Sequence, residues 1–214
     1  MSRVEAIRFL HAFVQHPAEI GAIAPSSARL AKAITADLEI PPDRCVIEFG
    51  PGTGRFTRRL ERHMADPSRY LGIECHPDFV QMLTEKFPEM TFVHGSAEHA
   101  VQFHAQAGLP PVHAVISGLP FASLGADVQD RIVEAIDTLL PAGGVFRTFQ
   151  YLHAYAAPNA VRFRRRMRGL FGPPTATHIV WRNLPPAAVV CWQRPPAPGT
   201  TPEATPAPGS NPRN

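Results

Sequence analysis

The sequence predicts an α/β fold: a seven-stranded, mostly parallel sheet with an antiparallel edge strand, preceded by N-terminal helices. Three observations carry that prediction. First, Cys45-Val-Ile-Glu-Phe49 is a short apolar run of strand-forming residues, followed at once by Gly50, Gly52 and Gly54. Arg55 to Met64 then repeats apolar residues at helical spacing, with Phe56, Leu60 and His63 or Met64 on one face. Second, Tyr70-Leu-Gly-Ile-Glu74 is a strand ending in a carboxylate about 20 residues past the glycine turn, the offset of the acid that reads a nucleoside in a βαβ unit. Third, strand-like and helix-like stretches alternate from there on, the pattern of a parallel sheet covered on both faces.

The elements follow in order. Ser2 caps a helix from Met1 to His16, and Glu5 completes a capping box. Ala6, Ile7, Phe9, Leu10, Phe13 and Val14 share its apolar face, opposite Glu5, Arg8, His11 and Gln15. Such a helix suits core packing first and the membrane interface second. Pro17 ends it. Gly21 to Ser27 forms a loop, with Ser26 or Ser27 as N-cap of a helix running to about Leu38. Pro41-Pro42 closes this segment. After Glu74, Pro77 stands near the first turn of a helix that runs to Phe87, where Pro88 stops it. Met90 to His94 is the third strand, and Gly95-Ser-Ala-Glu98 at its carboxyl end reads as a helix N-cap and first turn. Val112 to Ser117 is the fourth strand, followed by Gly118-Leu-Pro-Phe121 and a helix from about Asp127 to Leu140. Pro141-Ala-Gly-Gly144 turns the chain into the fifth strand, Val145 to Tyr151. Residues 158–169 form a basic helix, and Thr177 to Asn183 and Ala187 to Arg194 form an antiparallel hairpin at the sheet edge. From Pro195 the chain is proline-rich and almost without large apolar residues, which predicts a disordered tail.

Composition excludes several classes. The 214 residues suffice for one α/β domain, and 44% are hydrophobic, an ordinary globular share. No apolar run is long enough to span a membrane, and the start of the chain has no secretory pattern. Cys45, Cys75 and Cys191 form no CxxC pair, which suits free thiols in a reducing cytoplasm. None of the ten histidines forms an HxxxH pair beside a carboxylate on a helix, so no metal is assigned. The net charge of +3 suits an anionic membrane surface or RNA equally. GPGTG lacks both the GxGxxG spacing and the Lys-Ser/Thr of a P-loop, which argues against a dinucleotide or a triphosphate.

Ligands of open α/β sheets bind beyond the carboxyl ends of the strands, where Glu48 to Gly54, Glu74, Ser96 and Glu98, Ser117 to Phe121, and Tyr151 all fall. E-x-G-x-G-x-G at 48–54 resembles the first motif of the class I S-adenosylmethionine (SAM) methyltransferases, which have a Rossmann-like fold. That resemblance implies that the glycines pass close to the methionine part of SAM and that Glu74 binds the ribose hydroxyls. It also implies an adenine contact after the third strand, from Ser96 or Glu98. Ser-Gly-Leu-Pro-Phe at 117–121 resembles the Asn-Leu-Pro-Tyr type of motif in enzymes that methylate base nitrogens, but Gly118 replaces the polar residue that holds the base amine.

GAIAPSS at 21–27, EFGPGTG at 48–54, YLGIE at 70–74, ISGLPF at 116–121, FQY at 149–151 and WRNLPPA at 181–187 together resemble the bacterial phospholipid N-methyltransferases, over roughly residues 6–194. That family is related to the ribosomal RNA adenine dimethyltransferases. The resemblance implies methyl transfer from SAM, leaving S-adenosylhomocysteine, to the amine of phosphatidylethanolamine in successive rounds towards phosphatidylcholine. It implies a cytoplasmic protein held peripherally on the inner membrane through its N-terminal helix and anionic phospholipid, with no nucleic-acid partner. Residues 1–40 would then hold the amphipathic and cofactor-capping helices, 41–194 the methyltransferase domain, and 195–214 the tail. The expected cofactor residues are Ser26, Ser27, Glu48, Gly50, Gly52, Gly54, Glu74, Cys75, Ser96, Ala97, Glu98 and Ser117. The expected substrate residues are Gly118, Leu119, Pro120, Phe121, Arg162 and Arg165, the arginines meeting lipid phosphate. Tyr151 and Tyr155, with Phe121, would face the growing methylammonium, and His153 would take the amine proton. Two other functions fit the same residues: an RNA or DNA adenine N-methyltransferase, and a membrane-binding protein of this fold without catalysis.

Overall fold

The structure is a computed structural model that describes residues 27–195. The expected N-terminal helix, Ser26 and the proline-rich tail from residue 196 lie outside the described residues.

Seven strands form one sheet: β1 (Cys45–Phe49), β2 (Tyr70–Glu74), β3 (Thr91–His94), β4 (Val112–Ser117), β5 (Val145–Tyr151), β6 (Ala176–Val180) and β7 (Ala187–Gln193). Their order is β3-β2-β1-β4-β5-β7-β6. β1 to β5 run parallel, and β7 is antiparallel to both β5 and β6. The antiparallel hairpin is therefore at the expected edge, with β7 one position in and β6 outermost. Among the described residues six helices cover the sheet: α1 (Ala28–Ile34), α2 (Thr57–His63), α3 (Pro77–Lys86), α4 (Ala100–Ala107), α5 (Ala126–Leu139) and α6 (Pro158–Phe171).

Every residue of β1 and β2 is buried, as expected for central strands with helices on both faces. Alternate residues of β1 serve different cores. Cys45, Ile47 and Phe49 join Val115, Phe146, Ile132, Ile136, Phe163 and Met167 on the side of α4, α5 and α6. Val46 joins Ala114, Phe149, Leu30, Ile34, Leu60 and Leu83 on the side of α1, α2 and α3. The strand order reverses between β1 and β4, so their carboxyl ends flank the point where open α/β sheets bind ligands.

α1 stops at Ile34, short of the expected Leu38. Arg147 of β5 reaches across and donates to the carbonyls of Ile34 (3.2 Å) and Ala36, supplying the last turn with partners from outside the helix. α6 runs two residues past the expected end, to Phe171, and Gly172 (φ 79°) breaks it.

Candidate active site

The three glycines after β1 all have positive φ: 65° at Gly50, 55° at Gly52 and 78° at Gly54. Their surroundings differ. A Cβ on Gly50 would come within 2.9 Å of Leu119 Cδ2, and one on Gly54 within 2.8 Å of the Phe87 ring. A Cβ on Gly52 would meet nothing within 4 Å. Gly50 and Gly54 are thus required by packing, whereas Gly52 presents bare backbone to open space. The turn is tied to its neighbours: Gly50 N donates to Ile73 O (2.9 Å) and Gly118 N to Phe49 O (2.8 Å).

Two carboxylates bracket this turn. Glu74, 5% exposed at the end of β2, accepts the Gly52 N–H on Oε2 at 2.9 Å. Its Oε1 accepts the His76 N–H at 3.0 Å and the Cys75 thiol at 3.4 Å. A carboxylate oxygen has two lone-pair sites, so Oε2 retains one for a ligand hydroxyl. Cys75 acts as a thiol: burial, then the Glu74 charge, pushes its pKa up to about 12. Glu48 is wholly buried in β1, where its Oε2 accepts from Tyr70 Oη (2.6 Å) and Thr57 Oγ1 (2.9 Å). Its Oε1 has no partner among the described residues. Burial lifts the Glu48 pKa to about 7, against the pull of the Tyr70 and Thr57 hydrogen bonds.

The other expected cofactor residues are more committed to the protein. Ser27 Oγ caps α1 by accepting from Leu30 N (3.1 Å). Ser96 caps the short turn Ala97–His99, and its Oγ donates to Glu98 Oε1 at 3.2 Å. Glu98 is bound to Arg131 of α5, and Ala97 is buried. Ser117 is fully buried, its Oγ accepting from Leu119 N at 3.2 Å.

On the acceptor side the structure keeps some expected residues and corrects others. Gly118 is half-buried, and a Cβ there would lie 2.7 Å from Gly50 O, so close backbone approach demands glycine. Leu119 lies over Gly50, and Pro120 is half-buried at the turn that follows. Phe121 is not a pocket aromatic: it is 1% exposed and stacked on Phe163 at 3.8 Å between ring centres. Tyr151 and Tyr155 do not form one cage, because they join the cores on opposite faces of the sheet. The face of Tyr155 is already covered by the Arg164 guanidinium at 3.7 Å. Tyr151 packs edge-on to Phe149 and is stacked on the exposed His153 ring at 5.7 Å. Burial raises the Tyr151 pKa, so its hydroxyl keeps its proton. Arg162 is held by Asp130 of α5 at 2.6 Å. Arg165 is exposed and lines a cleft with Tyr155, Arg168 and Trp192.

Sequence reasoning missed Thr57, Tyr70 and Asn183. Thr57 and Tyr70 hold Glu48, and Asn183 ties α1 to the β6–β7 turn by accepting the Ser27 N–H at 3.2 Å. A buried acid inside a strand was the available signal for polar partners, and Asn183 stands in the WRNLPP stretch. Size does not mark the site. A groove of about 1260 Å³ between α1 and β5–β7–β6 includes neither Glu74 nor the glycine turn. Among the described residues no helix is long and apolar enough to cross a membrane.

Residues 46–144 match the family described as a methyltransferase domain. The chain is 28% identical over 182 residues to the ornithine lipid N-methyltransferase of Singulisphaera acidiphila, covering 84% of this chain and 91% of that one. It is 36% identical over 104 residues to ribosomal RNA small subunit methyltransferase A of Myxococcus xanthus, covering 48% of this chain and 35% of that protein. Among solved structures it resembles the 1,6-didemethyltoxoflavin-N1-methyltransferase of Burkholderia thailandensis, bound to S-adenosylhomocysteine, with a TM-score of 0.64 at 14% identity over 90% of this chain and 88% of that one. The bare backbone at Gly52, the strand-end carboxylate of Glu74 and the unpartnered Glu48 Oε1 fit SAM as the cofactor. Fold, matched domain and site geometry together make this chain a SAM-dependent methyltransferase of the class I fold.

Proposed function

We propose that this methyltransferase acts on the amine of a membrane lipid, phosphatidylethanolamine, in successive rounds towards phosphatidylcholine, at the cytoplasmic face of the inner membrane. The observation that carries the reading is the relative named for ornithine lipid N-methylation, because its match spans nearly the whole of both chains. The ribosomal RNA methyltransferase match covers about a third of that protein. Gly118 adds a second argument. Base-nitrogen methyltransferases hold the base amine with a polar side chain at this position, and here a Cβ would lie 2.7 Å from Gly50 O.

SAM supplies a methyl group already made electrophilic by the sulfonium charge. The work left to the protein is alignment and removal of one proton from the acceptor ammonium. Gly50, Gly52 and Gly54 clear the exit of β1 of side chains, and Glu74 offers its remaining Oε2 lone pair to the ribose. Tyr151 presents a protonated hydroxyl at the end of β5, where its oxygen can accept from the lipid ammonium. The exposed His153 ring, stacked on Tyr151, takes the proton and passes it to water. The lipid amine, left neutral, would then be the nucleophile for a methyl donor held by the glycine turn and Glu74.

Incubation with methyl-labelled SAM, phosphatidylethanolamine vesicles and, in parallel, ribosomal RNA tests this. Label should enter the organic phase as methylated lipid. Incorporation into RNA matching that into lipid would defeat the assignment.

A further inference from the structure

The arginines of α6, the basic run that stands out in the sequence, are largely engaged. Arg162 and Arg166 pair with Asp130, Arg166 also approaches Glu134, and Arg164 bonds Gln150 while covering Tyr155. Arg165 and Arg168 of α6 make no ion pair among the described residues, but a larger set of such charges gathers around another helix. Arg55, Arg58, Arg59 and Arg62, on α2 and just before it, recur at helical spacing and make no ion pair among the described residues. With Lys86 they line a cleft of about 530 Å³ beside Thr53 and Gly54, and no carboxylate lines it. Burial, then the Arg58 and Arg55 charges, holds the Lys86 pKa below its ordinary value.

Ala28 and Ala31 of α1 form the other wall of this cleft, and α1 connects it to a second feature. Ser27 N donates to Asn183 Oδ1 (3.2 Å), and Asn183 Nδ2 donates to Pro185 O (2.7 Å), fastening the β6–β7 turn to the start of α1. That turn holds out Trp181, 67% exposed, and Leu184, 78% exposed, with the exposed Arg182 beside Trp181. Neither apolar side chain joins a core cluster. Leu152 N donates to Pro186 O at 2.9 Å, and Tyr151 pairs with Ala187, so the turn stands at the carboxyl end of β5. The glycine turn occupies the same end of the sheet.

We propose that the β6–β7 turn, the start of α1 and the arginine face of α2 together dock the protein on an anionic phospholipid bilayer, with Trp181 and Leu184 inserted at the headgroup level. The proposal rests on the lipid reading above and names the surface that serves it. Indole rings favour the boundary between headgroups and acyl chains, and clustered arginines draw anionic lipid. RNA would also engage the arginines, but it gives Leu184 nothing to pack on, since an aliphatic side chain does not stack as an aromatic does. Docking in this pose turns the cofactor end of the sheet towards the headgroups that carry the amine.

The chain reports on the proposal itself. It has two tryptophans, and Trp192 is buried in the core, so Trp181 is the one that senses its surroundings. Adding vesicles of phosphatidylcholine with phosphatidylglycerol to the full chain should shift the Trp181 emission to the blue. Shallowly brominated lipid should quench it, and salt should reverse the shift. Pure phosphatidylcholine vesicles should do far less. Arg58→Gln with Arg62→Gln should weaken binding to the anionic vesicles by on the order of 25-fold, about fivefold per charge. Trp181→Ser with Leu184→Ser should weaken it by about tenfold or more. Both double variants should keep wild-type affinity for S-adenosylhomocysteine. They should also keep activity on phosphatidylethanolamine dispersed in detergent micelles, where docking is not needed. Vesicle binding with unshifted, unquenched Trp181 emission would place docking elsewhere. Emission that is already blue before vesicles are added would place residues 1–26 on the patch. A shift produced by RNA and not by vesicles would assign the surface to RNA. Each of these overturns the proposal. An inactive wild type on micelles would instead overturn the lipid reading, leaving the vesicle data to decide docking.

Discussion

Glu48→Gln isolates the charge buried beneath the cofactor turn. Glu48 is raised from 4.5 to about 7, with burial as the largest cause. Below the unfolded value the carboxyl is protonated in both the native and the unfolded chain. Between 4.5 and about 7 the native state alone holds the proton, so stability falls as pH rises through that window; above it both states are charged. At about 1.4 kcal/mol per pH unit, the shift corresponds to roughly 3 kcal/mol of stability present at low pH and lost by pH 8. Glutamine keeps an acceptor for Tyr70 and Thr57 but cannot titrate. Its amide falls where Oε1 has no partner, so the variant pays a fixed cost of about 1–3 kcal/mol at every pH. Urea unfolding of both proteins between about pH 5 and pH 8 should therefore give curves that close and then meet or cross as pH rises, the wild type losing roughly 2.5 kcal/mol more than the variant over that range. Parallel curves across the window would show that Glu48 is ionised throughout, and would refute the reasoning from burial.

Glu74→Ala removes the acceptor of the Gly52 and His76 N–H groups along with the ribose contact. Calorimetry should show S-adenosylhomocysteine binding weakened by about 1.5–3 kcal/mol, the range of the one charge-assisted bond that Glu74 Oε2 has left to give, and unchanged affinity in a folded variant would remove Glu74 from the site. Gly118→Ala forces a Cβ against Gly50 O and should destabilise the fold by about 1–3 kcal/mol while weakening cofactor binding; a wild-type melting temperature would disprove the close approach. Tyr151→Phe should lower kcat for lipid methylation and leave cofactor affinity unchanged, because the ring still packs on Phe149; undiminished kcat would remove the hydroxyl from the reaction. Arg162→Gln should cost no more than about 1 kcal/mol of stability and leave the KM for lipid unaltered, since Arg162 is held by Asp130; a raised KM would restore it as a lipid-phosphate ligand.

The central strands were legible because their causes are local. β1, β2, β4 and β5 begin and end where the sequence places them, each an apolar run bounded by a turn, glycine or a terminal acid. The glycine turn and the acid beside it were legible for the same reason: Gly50, Gly52, Gly54 and Glu74 belong to one βαβ unit. What the sequence hid depends on partners distant along the chain. The Phe121 motif suggests an open pocket, but Phe163 and Phe146, from later elements, take its ring into the core. The charges of α6 are plain in the sequence, whereas Asp130 and Glu134 opposite them become visible only when α5 packs beside it. α1 ends early because Arg147 arrives from β5. The Tyr151–Tyr155 pair failed for a geometric reason: a short turn, Leu152–Ala154, separates them and carries them to opposite faces of the sheet.

The acceptor decides between the two lipid substrates. Purified full-length protein, given SAM and mixed detergent micelles containing phosphatidylethanolamine and ornithine lipid in equal amounts, should yield phosphatidylethanolamine carrying one, two and then three added methyl groups in the lipid mass spectrum. Methylated ornithine lipid beside unmodified phosphatidylethanolamine would contradict the proposed substrate and place this chain with its Singulisphaera relative in substrate as well as in sequence.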